Sequence, residues 1–418
     1  MRADFDKLWL LPFGILAVSV LIALGIVILK PSFVNLSSTD MAQRVIIEAS
    51  DATPSDCSDT SVDSDACDQK HDQAATGGQT RSGKIATADC SGASAADIIC
   101  YQQRYQALVH EYGVEATFAQ LRDEVAKDEF ANSNCHELSH AIGRAAFDLY
   151  NADMPTVYSH GDTFCGSGYY HGAMEAVVVR IGPDKILEKA NALCNDLGGH
   201  QKYSVYHYNC AHGLGHGFMG IKGNELYGAL ETCDALSDSW ERNRCYGGVF
   251  MENVMDKDDP VHPSTYLKAD QPLYPCDVVG NEYKNECYQR QTSYALQTRG
   301  NDFSKVFDLC AKVEDAFRQA CYQGLGWDAL VQSLKQDNSD EAINGSTRTL
   351  CSLGRDYEAR FNCVVGAVDY FIRNYYSDVQ AKAFCEYFEA DLRAMCLQEA
   401  EEYYGSLQSP SERRGTSS

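Results

Sequence analysis

DLCAKVEDAFRQACYQGLGWDALVQSLKQ, residues 308–336, contains the pattern that decides the fold. The apolar residues of one predicted helix face recur at every fourth position: Leu309, Val313, Phe317, Cys321 and Leu325. Charged residues fill the other face of the helix. Cys310 stands near the end of one predicted helix and Cys321 near the start of the next, where a disulfide can join the two. The segment therefore predicts a disulfide-linked helical hairpin.

The same cysteine spacing recurs along the second half of the chain. The predicted pairs are Cys194 with Cys210, Cys233 with Cys245, Cys276 with Cys287, Cys310 with Cys321, Cys351 with Cys363 and Cys385 with Cys396. A glycine stands three residues after the cysteine in CGSGYYHG, CAHGLGHG, CYGGVFME, CYQGLGWD and CVVGAVDY, which begin at Cys165, Cys210, Cys245, Cys321 and Cys363. An internal repeat of this kind predicts an all-α fold of stacked, disulfide-stapled hairpins, similar in architecture to an α-solenoid.

The cysteine content indicates an oxidising compartment. The chain has 18 cysteines and no CxxC motif, which argues against zinc ribbons, thioredoxin-like centres and covalently attached c-type haem. Structural disulfides persist outside the cytosol. We therefore expect a periplasmic, lumenal or extracellular domain. The spacing leaves open how Cys57, Cys67, Cys90, Cys100, Cys135 and Cys165 pair.

The amino-terminal region predicts a membrane anchor. Residues 8–29, LWLLPFGILAVSVLIALGIVIL, are apolar and uncharged, and 22 residues are enough to span a bilayer as a helix. We expect a single-pass signal anchor with residues 1–7 in the cytoplasm. Residues 30–93 read as a disordered acidic linker, 94–404 as the repeat domain and 405–418 as a disordered tail.

The net charge of −24 argues against nucleic acid as a partner. The membrane is the expected partner of residues 8–29. The concave face of a helical array predicts a protein, peptide or glycan ligand for the repeat domain.

Histidines and carboxylates predict a site in the first repeats. Residues four apart share a helix face, and three such pairs occur. Aligned on the cysteines, His171 and His216 take the same repeat position, so the pairs should converge. The candidate metal ligands are His136, His140, His171, Glu175, His212, His216 and Glu252. Imidazole and carboxylate suit Zn, Cu, Fe or Mn. The alternative is a structural, hydrogen-bonded core.

The segment HELSH at residues 136–140 is an HExxH motif. Over these few residues the chain resembles the zincin metalloproteases, in which two histidines hold zinc and the glutamate is the general base. That resemblance implies a catalytic role for Glu137. Ala146 stands where the extended metzincin motif has its third ligand.

Two functions follow from these patterns. The first is a membrane-anchored binding or scaffold module that carries a His/Glu metal site. The alternative is a metal-dependent enzyme on the same scaffold, a hydrolase or an oxidoreductase, with a zincin-type protease as one special case.

Overall fold

The computed structural model describes residue 90 and residues 95–195, 202–255, 257, 263–336 and 339–408. These ranges contain helices, turns and irregular segments, and no strand. The predicted segment 8–29, its cytoplasmic flank and nearly all of the linker lie outside the described residues, as do Cys57 and Cys67. None of the described helices is both long enough and apolar enough to span a membrane.

The described residues form seventeen helices in which long and short helices alternate over most of the chain. The long helices are α1 (Ala95–Tyr112), α4 (Cys135–Leu149), α6 (Gly168–Ile181), α8 (Val205–Ile221), α10 (Ser239–Met255), α11 (Asn281–Thr298), α13 (Asp315–Gln336), α15 (Tyr357–Tyr375) and α17 (Ala390–Leu407). The short helices are α2 (Val114–Val125), α3 (Glu129–Ser133), α5 (Met154–Ser159), α7 (Pro183–Leu193), α9 (Leu226–Asp234), α12 (Phe303–Cys310), α14 (Asp340–Cys351) and α16 (Val379–Cys385).

Each long helix packs against the next long helix along the chain. Side-chain caps begin several helices, as where the Asp356 carboxylate accepts a hydrogen bond from the Ala359 amide at the start of α15. The last helix, α17, runs through Gly405 to Leu407, three residues into the predicted tail, and Leu407 is buried. The all-α, disulfide-rich, repeat-like architecture expected from the cysteine spacing is confirmed.

All six predicted cysteine pairs are bonded. The bonds join Cys194 to Cys210, Cys233 to Cys245, Cys276 to Cys287, Cys310 to Cys321, Cys351 to Cys363 and Cys385 to Cys396. All twelve residues are buried in the core, so these cysteines hold the helices together and offer no thiolate for chemistry.

The position of each bond is similar from one unit to the next. In a typical unit, Cys310 ends the short helix α12 and Cys321 lies in the long helix α13, with Cα atoms 5.5 Å apart. That separation is normal for a disulfide. Cys287 of α11 and Cys396 of α17 likewise place the second sulfur of their pairs inside a long helix.

Two further bonds that the spacing left open lie at the start of the array. They join Cys90 to Cys100 and Cys135 to Cys165. The second of these closes a longer stretch of chain, with the two cysteines 30 positions apart. Its sequence separation is therefore larger than the 11 to 16 positions of the six repeating pairs.

Glycines let neighbouring long helices cross with their backbones in contact. Gly326 of α13 lies against the Cys363 carbonyl of α15, and Gly366 of α15 lies against the Gln323 carbonyl of α13. A side chain at either glycine would overlap the facing backbone. The same reciprocal contact occurs between α4 and α6 and between α8 and α10, through Gly143 with Gly172 and Gly215 with Gly248.

The array of long helices curls until α15 returns to α8. Arg373 Nη1 donates a hydrogen bond to Tyr208 Oη at 2.6 Å, and Asn209 Nδ2 donates to Tyr376 Oη at 2.8 Å. These contacts between α8 and α15 therefore cross the inner side of the array, which the sequence predicts as a concave ligand-binding face. A cavity of about 770 Å³ is left on that side.

Candidate metal centre

Five histidines lie together where three neighbouring long helices meet. α4 carries His136 and His140, α6 carries His171, and α8 carries His212 and His216. Ring centroids are 4.7 Å apart for the α4 pair, 4.8 Å between His171 and His216, and 5.0 Å for the α8 pair. His136 is partly buried, and the other four rings are at most 2 % exposed.

The His-Gly dipeptides explain why these rings meet. Gly172 packs on the backbone of His140, so the preceding His171 lies beside the His140 ring. Gly213 packs near the Cα atom of His171, so the preceding His212 lies beside the His171 ring. The glycine that permits the helix crossing also fixes the position of the histidine next to it.

Four of the histidines can direct one ring nitrogen each at a common point. The ligand atoms of His136, His140, His171 and His216 all lie within 4.8 Å of one another. His136 Nε2 and His171 Nδ1 are 3.3 Å apart. Two nitrogens bound tetrahedrally to one ion at about 2.0–2.1 Å are separated by roughly 3.3 Å. The spacing of this pair therefore already fits a shared ion.

In three of these rings, the outward-facing nitrogen lies close to an oxygen atom. His136 Nδ1 lies 2.6 Å from the Cys165 carbonyl oxygen, to which it donates. His216 Nδ1 contacts a carboxyl oxygen of Glu252, and His140 Nδ1 lies 2.6 Å from Glu175 Oε1 without hydrogen-bond alignment. Metal-binding histidines commonly hold their second nitrogen against a carbonyl or carboxylate in this way.

Several ring nitrogens of this group lack hydrogen-bond partners. Nε2 of His140, His171 and His216 is buried without a hydrogen-bond partner, and so is Nδ1 of His140. A buried polar atom without a partner destabilises the fold by about 1–3 kcal/mol, so native proteins rarely leave several in one place. A bound cation would give these lone pairs a partner.

The electrostatics keep most of these rings neutral. Burial is the main cause that holds the pKa of His136 and of His171 well below the usual range. Repulsion from positive charge on neighbouring histidines lowers both pKa values further. Burial and His140 lower the pKa of His216 to about 3. Neutral imidazoles keep a lone pair for a metal at physiological pH.

His140 is the exception, because it faces carboxylates. Although burial lowers its pKa, the charges of Glu175 and Glu137 raise it to about 9. The other Glu175 oxygen accepts a hydrogen bond from Arg144 Nη1 at 2.5 Å. Arg144 is a site residue that the sequence analysis did not predict, because no repeat pattern marks its position. The carboxylates thus attract positive charge to this corner, which a protonated His140 or a metal ion can supply.

A second group of ligand atoms overlaps the first. One atom each of His140, Glu175, His216 and Glu252 also lie within 4.8 Å of one another. Burial and the charges of Glu175 and Glu137 raise the pKa of Glu252 well above its usual range, so Glu252 and His216 share one proton. A cation at His216 Nε2 favours that proton on Nδ1 and the negative charge on Glu252. This second group of two histidines and two glutamates therefore supports the imidazole group from outside or binds an ion itself.

His212 lies beside the four-histidine group and is not part of it. Its Nδ1 lies 3.2 Å from the Arg244 carbonyl oxygen and its Nε2 lies 3.4 Å from the Met251 sulfur. Met251 was not among the residues predicted for the site. Its place in the repeat, six residues after Cys245 as His171 is after Cys165, is the signal that could have marked it.

Glu137, the predicted general base, lies on the Nδ1 side of His140. Its Oε2 atom is 3.9 Å from His140 Nδ1, and its Oε1 atom accepts a hydrogen bond from Gln102 Nε2 at 2.6 Å. Arg144 Nη2 also approaches Oε1, at 3.4 Å. In this position Glu137 contributes negative charge behind His140, on the side away from the unpartnered Nε2.

The 770 Å³ cavity borders the histidine group. His136 and Met251 line it, as do Arg290, Trp327 and Tyr370. A small molecule in this cavity would contact a candidate ligand directly.

Comparisons of this chain with protein-family models, with curated proteins and with solved structures found no match. The site residues themselves therefore carry the functional inference.

Proposed function

We propose that this protein is a metal-dependent enzyme, a hydrolase or an oxidoreductase, whose ion is held by His136, His140, His171 and His216. The observation that carries this proposal is the set of buried imidazole nitrogens without hydrogen-bond partners, on histidines whose candidate ligand atoms lie within 4.8 Å of one another. A hydrogen-bonded structural core, the alternative considered from the sequence, would satisfy those nitrogens.

The available ligand atoms limit which metal ions the site can bind. The described cysteines are all in disulfides, so imidazole and carboxylate remain as donors. Imidazole-rich sites suit zinc, copper and iron, and the carboxylates extend the range to manganese. Such an ion supplies Lewis-acid or redox chemistry when bound.

The cavity supports an enzyme rather than a purely structural metal site. Structural sites are closed by four protein ligands, whereas catalytic sites keep a coordination position for water or substrate, either by using three of the four histidines or by expanding to five ligands. His136 is the least buried of the four candidate ligands and lines the cavity, so a substrate could approach from its side. The chain would position the substrate there, while Glu175 and Glu252 orient His140 and His216 from behind.

The disulfides indicate an oxidising, extracytoplasmic environment. Anchoring through residues 8–29 with a cytoplasmic amino terminus is part of the proposal and lies outside the described residues. The second candidate function, a scaffold that binds a protein, peptide or glycan, stays a prediction.

Metal analysis of the purified full-length protein tests the proposal. We expect about one zinc, copper, iron or manganese ion per chain near pH 7, where the imidazoles are neutral. His136→Gln and His171→Gln should lose that ion while keeping the helical circular dichroism spectrum. His110, an exposed residue of α1, offers the matched control, and His110→Gln should keep the metal. Absence of metal after loading at neutral pH, or equal metal in all three variants, would contradict the proposal.

A further inference from the structure

A cluster of buried cations lies next to the histidine group. Arg290 Nη2 and Arg373 Nη1 donate hydrogen bonds to Tyr208 Oη at 3.0 Å and 2.6 Å. Arg244 lies over the same phenol ring, with its Cζ atom 5.5 Å from the ring centroid. Arg290 and Arg373 are only 8 % and 7 % exposed. Three guanidinium groups therefore surround one phenol in the interior.

Few carboxylates pair with these arginines. Glu286 pairs with Arg244 at 3.4 Å. Over the part of the chain that the structure describes, no carboxylate forms a salt bridge with Arg290 or Arg373. Burial raises the pKa of Asp369, the acid nearest Arg373 in sequence, to about 7, so it is only partly ionised. Buried charges without partners are strongly unfavourable, which implies that a further anion belongs here.

Hydrogen-bond donors in the cluster are also unused. Nε of Arg290 and Nη2 of Arg373 are buried and have no hydrogen-bond partner. Both guanidinium groups pack over the Trp327 indole, with Cζ atoms 3.9 Å and 3.6 Å from the ring centroid. Stacking on the indole holds the guanidinium planes in place while leaving in-plane donors available.

The cluster borders the same cavity as the histidine group. Arg290 and Trp327 line it, as do His136 and Met251. Of the other charged residues that line it, Asp162 is already paired with Arg122, and burial raises the pKa of Asp328 to about 7. The cavity wall therefore has an excess of positive charge at Arg290.

We propose that this cavity binds a small molecule bearing an oxyanion, a carboxylate or a phosphate, through Arg290. Arg373 adds positive charge from within the wall, and Trp327 and Tyr370 contact the rest of the molecule. Guanidinium matches these oxyanions because its donors lie in one plane and can engage two oxygens at once. That the anion is also the substrate of the metal rests on the proposed function, whereas the anion site itself rests on the arginines.

Calorimetric titration of the purified, metal-free, full-length protein with inorganic phosphate and with succinate tests the site and distinguishes its two oxyanions. We expect at least one of them to bind at a single site. Arg290→Gln should weaken that binding about tenfold or more, because a hydrogen bond to a charged group contributes about 1.5–3 kcal/mol. Arg348 is exposed on α14, and Arg348→Gln should leave the affinity unchanged.

The stability of the variant supplies a second readout. Arg290→Gln removes a buried charge that lacks a carboxylate partner, so its unfolding midpoint should match or exceed that of the unchanged protein. Arg373→Gln should likewise weaken oxyanion binding and leave the unfolding midpoint unchanged or raised. No saturable binding of either ion, equal binding by Arg290→Gln, or unfolding of both variants would overturn the proposal.

The two proposals fail separately. Phosphate or succinate binding without any metal uptake would remove the metal centre and leave the anion site. One metal ion per chain without binding of either oxyanion would remove the anion site and leave the metal centre. Retained metal in Arg290→Gln together with lost oxyanion binding is the result expected if both hold.

Discussion

His136 shows how the site is built at the scale of single residues. Its Nδ1 atom donates to the Cys165 carbonyl, and Cys135, its neighbour in sequence, is bonded to Cys165. Cys165, Gly166 and Ser167 have φ values of 59°, 70° and 66°, all in the left-handed region that non-glycine residues rarely adopt. Such strain persists where the surroundings enforce it, often at functional sites. Here it accompanies a carbonyl directed at a candidate ligand.

Asp369 makes stability depend on pH. Burial raises its pKa from 3.8 to about 7. Between these values the native state binds more protons than the unfolded state, so this residue lowers stability as pH rises from about 4 to about 7. The loss is at most about 4 kcal/mol, since each pKa unit corresponds to about 1.4 kcal/mol.

Asp369→Asn should remove this contribution. We expect the variant to gain stability relative to the unchanged protein at about pH 8 and to gain little at about pH 4. Denaturant unfolding at both pH values measures the difference. Equal effects of the substitution at the two pH values would contradict the assigned role of this carboxyl group.

At the scale of elements, the glycine-mediated helix crossings set the spacing of the array. Every long helix that carries a candidate histidine takes part in one: α4 crosses α6, and α8 crosses α10. Close crossing brings the residue beside each glycine towards the neighbouring helix. The positions of His171 and His212 are therefore a consequence of how the helices pack.

Gly326→Ala tests the close crossing away from the site. A Cβ atom there would overlap the Cys363 carbonyl of the facing helix, so α13 and α15 must separate. We expect a loss of roughly 1–3 kcal/mol in the free energy of unfolding, the usual range for overpacking.

Gly345 is the matched control, because it lies within α14 with open space around it. Gly345→Ala should raise the free energy of unfolding by roughly 0.5–1 kcal/mol through helix propensity. Similar effects of the two substitutions would show that the crossing does not depend on the missing side chain.

At the scale of the whole molecule, the disulfides stabilise a long array of helices. The described residues contain eight bonds, each closing a short stretch of chain. Each such bond typically contributes about 2–4 kcal/mol by limiting the unfolded chain. Their combined contribution exceeds the roughly 5–15 kcal/mol by which native proteins are usually stable.

Complete reduction should therefore unfold the protein at room temperature. Far-ultraviolet circular dichroism before and after reduction, with thiols counted in parallel, measures this. Loss of most of the helical signal is expected once the thiols are free. A fully reduced protein with an unchanged unfolding midpoint would show that side-chain packing alone sustains the array.

The sequence alone determined the repeating units, which are helical hairpins joined by disulfides. Helical periodicity, paired cysteines and the glycine three residues after a cysteine are local signals, so they predicted the hairpins, six disulfides and the contact between His171 and His216. Even the last pair, Cys385 with Cys396, followed from its spacing, because this bond joins two neighbouring helices of one unit. Equivalent repeat positions of neighbouring helices meet because each helix packs on the next.

Only the tertiary structure decided how far the array curls. Small rotations between successive hairpins add up over the array, and no local pattern specifies their sum. That sum brings Arg373 of α15 to Tyr208 of α8 across the inner side of the array. It also decides that Arg290 shares a cavity with His136. Contacts between residues more than a hundred positions apart depend on every crossing between them, which is why the sequence predicted the histidine group and not the arginines beside it.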